Sequence, residues 1–565
     1  MSSWEMGKAL KVKNHKKGFD IMAATHTSSN ADFWKQSFLM REEFSKTKAY
    51  RRLLLLAQTA PDLTCPDCLT RERIKKFRSI SRDFTLLYGF ERINDEILRE
   101  LSLLAEERGV FQQMESMLNG KPVNWIEGVS SEQRAVLHTS MRKNGNGETS
   151  EIEEEAVRRA LHERNQLHSV IKDISHSFDT MLFIGIGGSE LGPHAICEAL
   201  KPYWKEKKQV LYAGNVDPDE LTFALSKIDP QKTIVVVVSK SGTTLETATN
   251  EARVREFFSQ RVSSVRDHFI AVTCPGTPMD DSTSYRSCLH LFDYVGGRYS
   301  STSMVGGILL AFMAGVEVFE EFLEGARSID EIALDRSLDT NIPLLMALLG
   351  IWNRNFLGYP TVAVIPYSSA LHRFPAHLQQ CDMESNGKTT KRTGTKVSYH
   401  TGPVVWGEPG TNAQHSFFQL LHQGSDVIPV EFIGFSQSQY CDDFVFRGTS
   451  SQEKLLANML AQAVALAQGK ESQNPNKNFH GNRPSLILLG HKLTPRAVGA
   501  LLAIYEHKIA FQGFLWGINS FDQEGVQLGK VLADRILHLI SHVKKDEKEP
   551  SSPLEEFLVS VIMNH

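Results

Sequence analysis

The chain has 565 residues, with 62 Lys and Arg against 66 Asp and Glu and a formal net charge of −4. At roughly 100–200 residues per domain, that length predicts about three structural units, or one large fold of two lobes. An apolar share of 41% and a charged share of 23% exclude disorder, a collagen-like chain and a disulfide scaffold. The near balance of charge gives no bulk pull toward nucleic acid or anionic membrane, so any phosphate must be held by a local constellation.

No apolar run approaches the ~20 residues of a bilayer-spanning helix; the closest, Met304 to Phe319, is interrupted by Gly306, Gly307, Gly315 and Glu317. The first residues, MSSWEMGKALKVKNHKKGFD, lack the apolar core and cleavage site of a secretory signal, so a cytoplasmic location is expected. Seven scattered cysteines, at 65, 68, 197, 274, 288, 381 and 441, suit a reducing compartment. Cys65 and Cys68 form a CPDC that could be half a zinc site. With no second CxxC or His pair nearby to complete four ligands, it reads as a turn between helices, and no metal is expected.

In chain order, Asn30 to Ile126 is charged and leucine-rich, with Phe84, Leu87, Tyr88, Ile97, Leu98, Leu101 and Leu104 at helical spacing, and reads as a helical wrapper. RKNGNGETSE, Arg142 to Glu151, has the composition of an exposed connection. An amphipathic helix follows from Ile152 to about Ser175. Strands are then predicted at Met181–Ile186, Val210–Ala213, Thr233–Val238 and Phe269–Thr273, the β-branched TIVVVV having the signature of a parallel strand covered on both faces. A second series has a helix at Pro343–Trp352 and strands at Val362–Ile365, Val430–Phe435 and Leu486–Leu489. Thr494 and Pro495 then supply an N-cap and first position for a helix carrying Val498, Leu501, Leu502 and Tyr505. Two consecutive βα series imply an α/β chain of two doubly wound α-β-α sandwich lobes. The divisions expected are an N-terminal helical region at 1–150, a first lobe at 151–335, a second at 336–540 and a C-terminal helical arm at 541–565. Ala467 to Pro484 reads as a surface excursion, and KKDEKEPSSP as the separator before the arm.

Two turns carry chemistry. GIGGSELG, Gly185 to Gly192, lies at a strand-to-helix turn, but it lacks the GxGxxG spacing, and Gly214 and Asn215 replace the acid that would end the next strand. Nicotinamide binding is therefore disfavoured. Gly188 and its neighbours let backbone N–H groups approach an anion, with Ser189 adding a hydroxyl, although a tight turn needing small residues explains the segment equally well. SKSGTTLETATNE, Ser239 to Glu251, sets Ser239, Lys240, Ser241, Thr243 and Thr244 at the carboxyl end of a parallel strand, where a helix begins. It is not a Walker P-loop, and Thr243 with Glu246 has the spacing of a capping box. Together the turns favour a phosphomonoester site at a topological switch point.

This pair of loops resembles the sugar isomerase fold, which binds phosphosugars. VGGRYSSTS (295–303), QQCDMESNGK (379–388), WGEPGTNAQHSFFQLLHQG (406–424) and INSFDQEGVQLGK (518–530) narrow the likeness. They are similar to the signature segments of the glucose-6-phosphate isomerase family, in order and spacing. Taken alone, Glu384 would read as a surface acid, Arg298 as a solvated charge, His415 as a core or surface histidine and Lys530 as an exposed lysine. The resemblance implies instead that Glu384 is the base moving a proton between C2 and C1. It implies that Arg298 faces the enediolate, that His415 opens the sugar ring with Lys530 assisting at the ring oxygen, and that Glu246 orients the imidazole. Phosphate contacts carry over to Ser189, Ser239, Lys240, Ser241 and Thr244, and sugar contacts to Gly188, Gln380 and Gln523. Departures from the family pattern are SSTS after Arg298, Glu524, Gln527 and Cys381.

The implied activity is interconversion of glucose 6-phosphate and fructose 6-phosphate, in glycolysis and gluconeogenesis, without metal or organic cofactor. The implied assembly is a homodimer with shared sites. A mannose 6-phosphate-accepting isomerase would share the whole apparatus, while a non-catalytic phosphosugar sensor would not need Glu384, His415 and Lys530 together.

Overall fold

The computed structural model describes residues 41–145, 150–440, 442–545 and 552–563. The N-terminal segment read for a signal, part of the 142–151 connection, Cys441 and most of the KKDEKEPSSP separator lie outside the described residues.

Among the described residues, thirteen strands fall into two main sheets and one small hairpin. β1 (Arg78–Ile80) and β2 (Phe84–Leu87) precede the first lobe, which contains β3 (Thr180–Ile184), β4 (Gln209–Ala213), β5 (Thr233–Val238), β6 (Phe269–Thr273) and β7 (Ser287–His290). The second series is β8 (Thr361–Pro366), β9 (Val404–Trp406), β10 (Val430–Gln437), the hairpin β11 (Val445–Phe446) and β12 (Thr449–Ser450), and β13 (Ser485–Lys492).

The first sheet has the order β4-β3-β5-β6-β7 and is parallel throughout. β3 and β5 are buried at every position, which explains their unbroken apolar text. From β3 the chain moves outward to β4, then returns to the other side of β3 to form β5. The crevice between the carboxyl ends of β3 and β5 is therefore the switch point of this sheet. The second sheet has the order β1-β2-β13-β10-β8-β9, and its parallel part reverses in the same way between β8 and β10.

The N-terminal region is not wholly helical. Phe84 to Leu87, read at helical spacing, is a strand paired antiparallel with β13, and helix resumes only at Asp95–Arg108. A run this short cannot be assigned by periodicity, and pairing to an open sheet edge decides it. The helix predicted from Ile152 is Glu151–Ile174, and Thr494 caps Pro495–Trp516 by accepting from the Ala497 N–H at 3.1 Å.

That last helix runs buried through the molecule and packs against Val316–Ile332. A Cβ on Gly499 would stand 1.9 Å from the Phe322 carbonyl oxygen, and one on Gly325 would stand 1.9 Å from that of Arg496. Glycine at both positions lets the two backbones touch. Beside this crossing, Arg142 corrects the reading of its segment as exposed: it is fully buried. It donates to Asp330 at 2.7 and 2.5 Å and to Glu506 at 2.7 Å, and His507 meets Asp330 at 2.6 Å. The Arg142 guanidinium holds the Asp330 carboxyl well below the usual carboxylate range against the opposing effect of burial, which is the largest single influence. The network ties the 138–142 turn to both helices.

Candidate active site

The site grows from the two switch points. Gly187 opens the turn after β3 with φ +59°, a conformation that favours glycine. Gly188 lies directly on the segment carrying Arg298, where an added Cβ would come within 2.3 Å of the Gly297 carbonyl carbon. Ser300 donates to the Gly188 carbonyl at 3.2 Å, and Gln380 reaches toward Gly187, its Nε2 lying 3.4 Å from a Cβ built there. The first loop, the 297–302 turn and the turn bearing Gln380 thus form one packed unit.

Arg298 is 2% exposed and held from three directions. Its Nε donates to Ser385 Oγ at 2.6 Å, and its Nη2 donates to the carbonyls of Ser520 at 2.7 Å and Asp522 at 3.0 Å. Nη1 is left facing Glu384 Oε1 at 3.4 Å. Ser385 is fixed in turn by the Tyr299 hydroxyl at 2.8 Å, and Ser520 donates to Asn386 Oδ1 at 2.7 Å. Lys388 donates to the Glu384 carbonyl at 2.9 Å and pairs with Asp522 at 2.8 Å, while burial holds its ammonium below the usual lysine range. Glu384 closes a turn of π-helix, Gln379–Glu384, that continues the short Phe374–Leu378 helix. Such a wide turn offsets one side chain from the α-helical register and recurs at functional sites. With its side chain 18% exposed, the carboxylate is reachable from outside while its guanidinium partner is not.

At the second loop, Ser239 and Thr244 share a hydrogen bond of 2.9 Å between hydroxyls, and Thr243 donates to Ser241 Oγ through both N–H (3.2 Å) and hydroxyl (3.0 Å). The capping box between Thr243 and Glu246 does not form. The N-cap of Leu245–Ser259 is Thr244, and its side chain makes no capping bond. The first-turn N–H groups of a 15-residue helix are thereby left for an anion. Lys240 points elsewhere: its Nζ donates to the carbonyls of Asp293 at 2.7 Å and Val295 at 2.8 Å. Burial, reinforced by the Arg134 charge, lowers its pKa to about 8. It acts as a strut between the hydroxyl loop and the approach to Arg298, so its side chain is committed to protein carbonyls.

The structure therefore brings Gly188 against the segment of Arg298, Gln380 beside Gly187 and Arg298 against Glu384, with Lys240 tied to the carbonyls of Asp293 and Val295 and Ser189, Ser239, Ser241 and Thr244 on the flanking loops. Glu246 is half-buried on the first turn of the 245–259 helix. His415 caps the Gly410–Gln414 helix and is exposed, as are Gln523 and Lys530. Among the described residues, the side chains of these three make no hydrogen bond or ion pair to the rest of the site. Ser385, Tyr299, Asn386, Lys388 and Asp522 were not singled out from sequence. Their only signal is that they fall inside or beside the same motif segments. The departures divide by location: Ser301, Thr302 and Cys381 are buried packing residues, whereas Glu524 and Gln527 are exposed.

Two doubly wound sheets with glycine- and hydroxyl-rich loops at the switch point define a protein of the sugar isomerase fold. The family model of phosphoglucose isomerase matches residues 88–553. A glucose-6-phosphate isomerase of Chlamydia pneumoniae is 54% identical over 502 residues, covering 88% of this chain and 95% of that one. The glucose-6-phosphate isomerase of Protochlamydia amoebophila is 49% identical over 517 residues, covering 91% and 96%. A crystal structure of a glucose-6-phosphate isomerase from Chlamydia trachomatis D/UW-3/Cx superposes with a TM-score of 0.89 at 48% identity, covering 92% of this chain and 99% of that one. The chain belongs to the phosphoglucose isomerase family and is an enzyme, an isomerase.

Proposed function

We propose that this enzyme interconverts glucose 6-phosphate and fructose 6-phosphate through a cis-enediolate. The observation that carries the reading is the Glu384–Arg298 pair: a reachable carboxylate 3.4 Å from a buried, triply tethered guanidinium, beside two anion-binding turns. The substrate phosphate docks on the hydroxyls of Ser239, Ser241 and Thr244 and the free N–H groups at the start of the 245–259 helix, with Ser189 on the adjacent turn. Gly188, Gln380 and Gln523 line the sugar. Lys240 keeps that cradle at a fixed distance from Arg298.

His415, oriented by Glu246 and assisted by Lys530, moves the proton that opens the ring. Glu384 then takes the proton from C2 and returns it to C1 while the hydroxyl proton passes from O2 to O1, and the carboxylate ends unchanged. Arg298 stabilises the oxyanion of the enediolate from a position that needs no reorganisation as charge develops. The step balances with protons alone and calls for no metal or organic cofactor.

The exposed positions of His415 and Lys530 support a homodimer in which a second copy completes each site. So do the exposed apolar side chains of the last two described helices: on Gln527–Lys544, Leu528 is 70% and Val531 64% exposed, and Phe557 on Pro553–Met563 is 63% exposed. Exposed apolar side chains of this kind suit burial between subunits. A cytoplasmic setting fits this reading, and no described helix is long and apolar enough to cross a membrane. The divisions at 150, 335 and 540 are proposed as the limits of the N-terminal region, two lobes and arm.

A coupled assay of fructose 6-phosphate conversion, with chelator present, tests the assignment. Wild type turns over, and Glu384→Gln loses about 10²–10⁴-fold in kcat. No wild-type turnover would overturn the activity, and an undiminished variant would overturn the base. Loss of turnover with chelator would overturn the metal-free course, and equal conversion of mannose 6-phosphate would broaden the substrate.

A further inference from the structure

We propose that Cys65 and Cys68, far along the chain from every residue assigned to the isomerase site, form a dithiol that closes a disulfide by exchange with a low-molecular-weight disulfide. The Cys68 N–H donates to the Cys65 carbonyl at 2.9 Å, so the two residues are the ends of one β-turn. That closure holds their Cα atoms within about 7 Å, and a disulfide spans about 4.4–6.8 Å. Pro66, at the second position of the turn, fixes its backbone for this geometry.

The turn is moored on both sides. Just before it, Asp62 accepts from the N–H and hydroxyl of Thr64 at 2.9 and 2.8 Å, and the Leu63 N–H donates to Asn482 Oδ1 at 3.1 Å. Just after it, Thr70 caps the Arg71–Lys76 helix. The two cysteine backbones are thus held within disulfide reach before any reaction, which favours ring closure over attack by a distant thiol.

The pair is also asymmetric. Cys65 is exposed, whereas Cys68 is half-buried against the apolar cluster that includes Leu63 and Phe90. Cys65 is therefore the thiol an external reagent meets first, and Cys68 the one that resolves the adduct. The other described cysteines compete poorly: Cys197 and Cys381 are buried, and Cys274 and Cys288 are half-buried. Burial also pushes the thiols of all four up from the ordinary cysteine range. Among the described residues, no group of three or more His, Cys, Asp or Glu that could hold a metal ion includes the pair.

The chemistry is two successive exchanges. The Cys65 thiolate, its proton lost to solvent, attacks one sulfur of the small disulfide. The S–S bond breaks, one small thiolate leaves with the electron pair, and a mixed disulfide remains on Cys65. Cys68 then loses its proton and attacks the Cys65 sulfur, expelling the second small thiolate. The protein dithiol is oxidised by two electrons, and the small disulfide is reduced to two thiols.

The test treats the full chain with oxidised glutathione, quenches with acid, alkylates the remaining thiols and maps the peptides by mass. In wild type the expected product is one Cys65–Cys68 disulfide, seen as loss of two hydrogen atoms and reversed by a dithiol reductant. Cys68→Ser stops at a glutathionyl group on Cys65, and Cys65→Ser forms no intramolecular bond. Retained isomerase turnover shows that both variants are folded. A glutathionyl group persisting on Cys65 of the wild type would overturn the proposal. So would prior oxidation of Cys274, Cys288 or Cys441, pairing of Cys65 with any cysteine but Cys68, or no reaction.

Discussion

The half of the site around Arg298 and Glu384 is sunk in the chain and fixed by its own hydrogen bonds, whereas the half comprising His415, Gln523 and Lys530 stands in the open without a side-chain partner among the described residues. The contrast follows the chemistry each half is proposed to perform. Stabilising an enediolate needs a dipole that is already aimed, in surroundings that exclude water, and a guanidinium tethered through Ser385, Ser520 and Asp522 meets that need within one subunit. Ring opening needs only a positioned acid and base, and these can arrive on a neighbouring surface. On the proposed reading, one half of the site is made by folding and the other is left to assembly.

The largest effect that sharpens this contrast is on the support of the buried half. Arg142→Met removes the cation between Asp330 and Glu506, leaving buried Glu506 without its guanidinium and Asp330 with His507 alone, and is expected to cost about 3–5 kcal/mol of stability in denaturant unfolding. A loss below the scatter of the measurement would show that the network is not the brace described.

Next comes Arg298→Lys, which keeps the charge but cannot reproduce the three-way tether; kcat should fall by about 10²–10³-fold with little change in KM. A change confined to KM would place Arg298 in ground-state binding instead.

The exposed half is tested by mixing. His415→Ala should lower kcat on the ring form of the substrate by about 10²-fold. Mixing it, under conditions of subunit exchange, with Glu384→Gln should restore turnover, because one site of the mixed dimer then holds both native residues. If both groups came from the same subunit, every site in the mixture would lack one of them and no recovery would appear.

The smallest effect concerns the strut. Lys240 has a folded pKa of about 8, below its unfolded value. The unfolded chain therefore binds more protons across the range above pH 8, and this residue's contribution to stability rises with pH there. The Tm difference between wild type and Lys240→Met should shift toward wild type as pH rises from 8 toward the ordinary lysine range. A flat difference would mean that the ammonium is not desolvated as the geometry indicates.

What the residues alone revealed follows the same division. TIVVVV matches β5 at both ends, because only a strand covered on both faces tolerates so continuous a β-branched run. The Thr494–Pro495 start is equally direct, since a cap and a first-turn proline act locally. By contrast β7 and β9, half-buried and three or four residues long, carry too little pattern to stand out. Arg142 looked exposed because its neighbours are polar, and its burial depends on Asp330 and Glu506, far away in sequence. At the site, the hydroxyl loop was legible from composition, but the direction of Lys240 was not: it is set by carbonyls more than 50 positions later. The roles expected for Glu384, Arg298 and His415 came from family resemblance, because neither a π-turn nor a tether across 222 residues leaves a local mark.

The most direct measurement of the central claim is hydrogen exchange at C2 of glucose 6-phosphate in deuterated water. Wild type should incorporate deuterium at that carbon, and Glu384→Gln should lose the incorporation while still binding the phosphosugar. Undiminished exchange in the folded variant would contradict the account, because the proton would then be moved by a group other than Glu384.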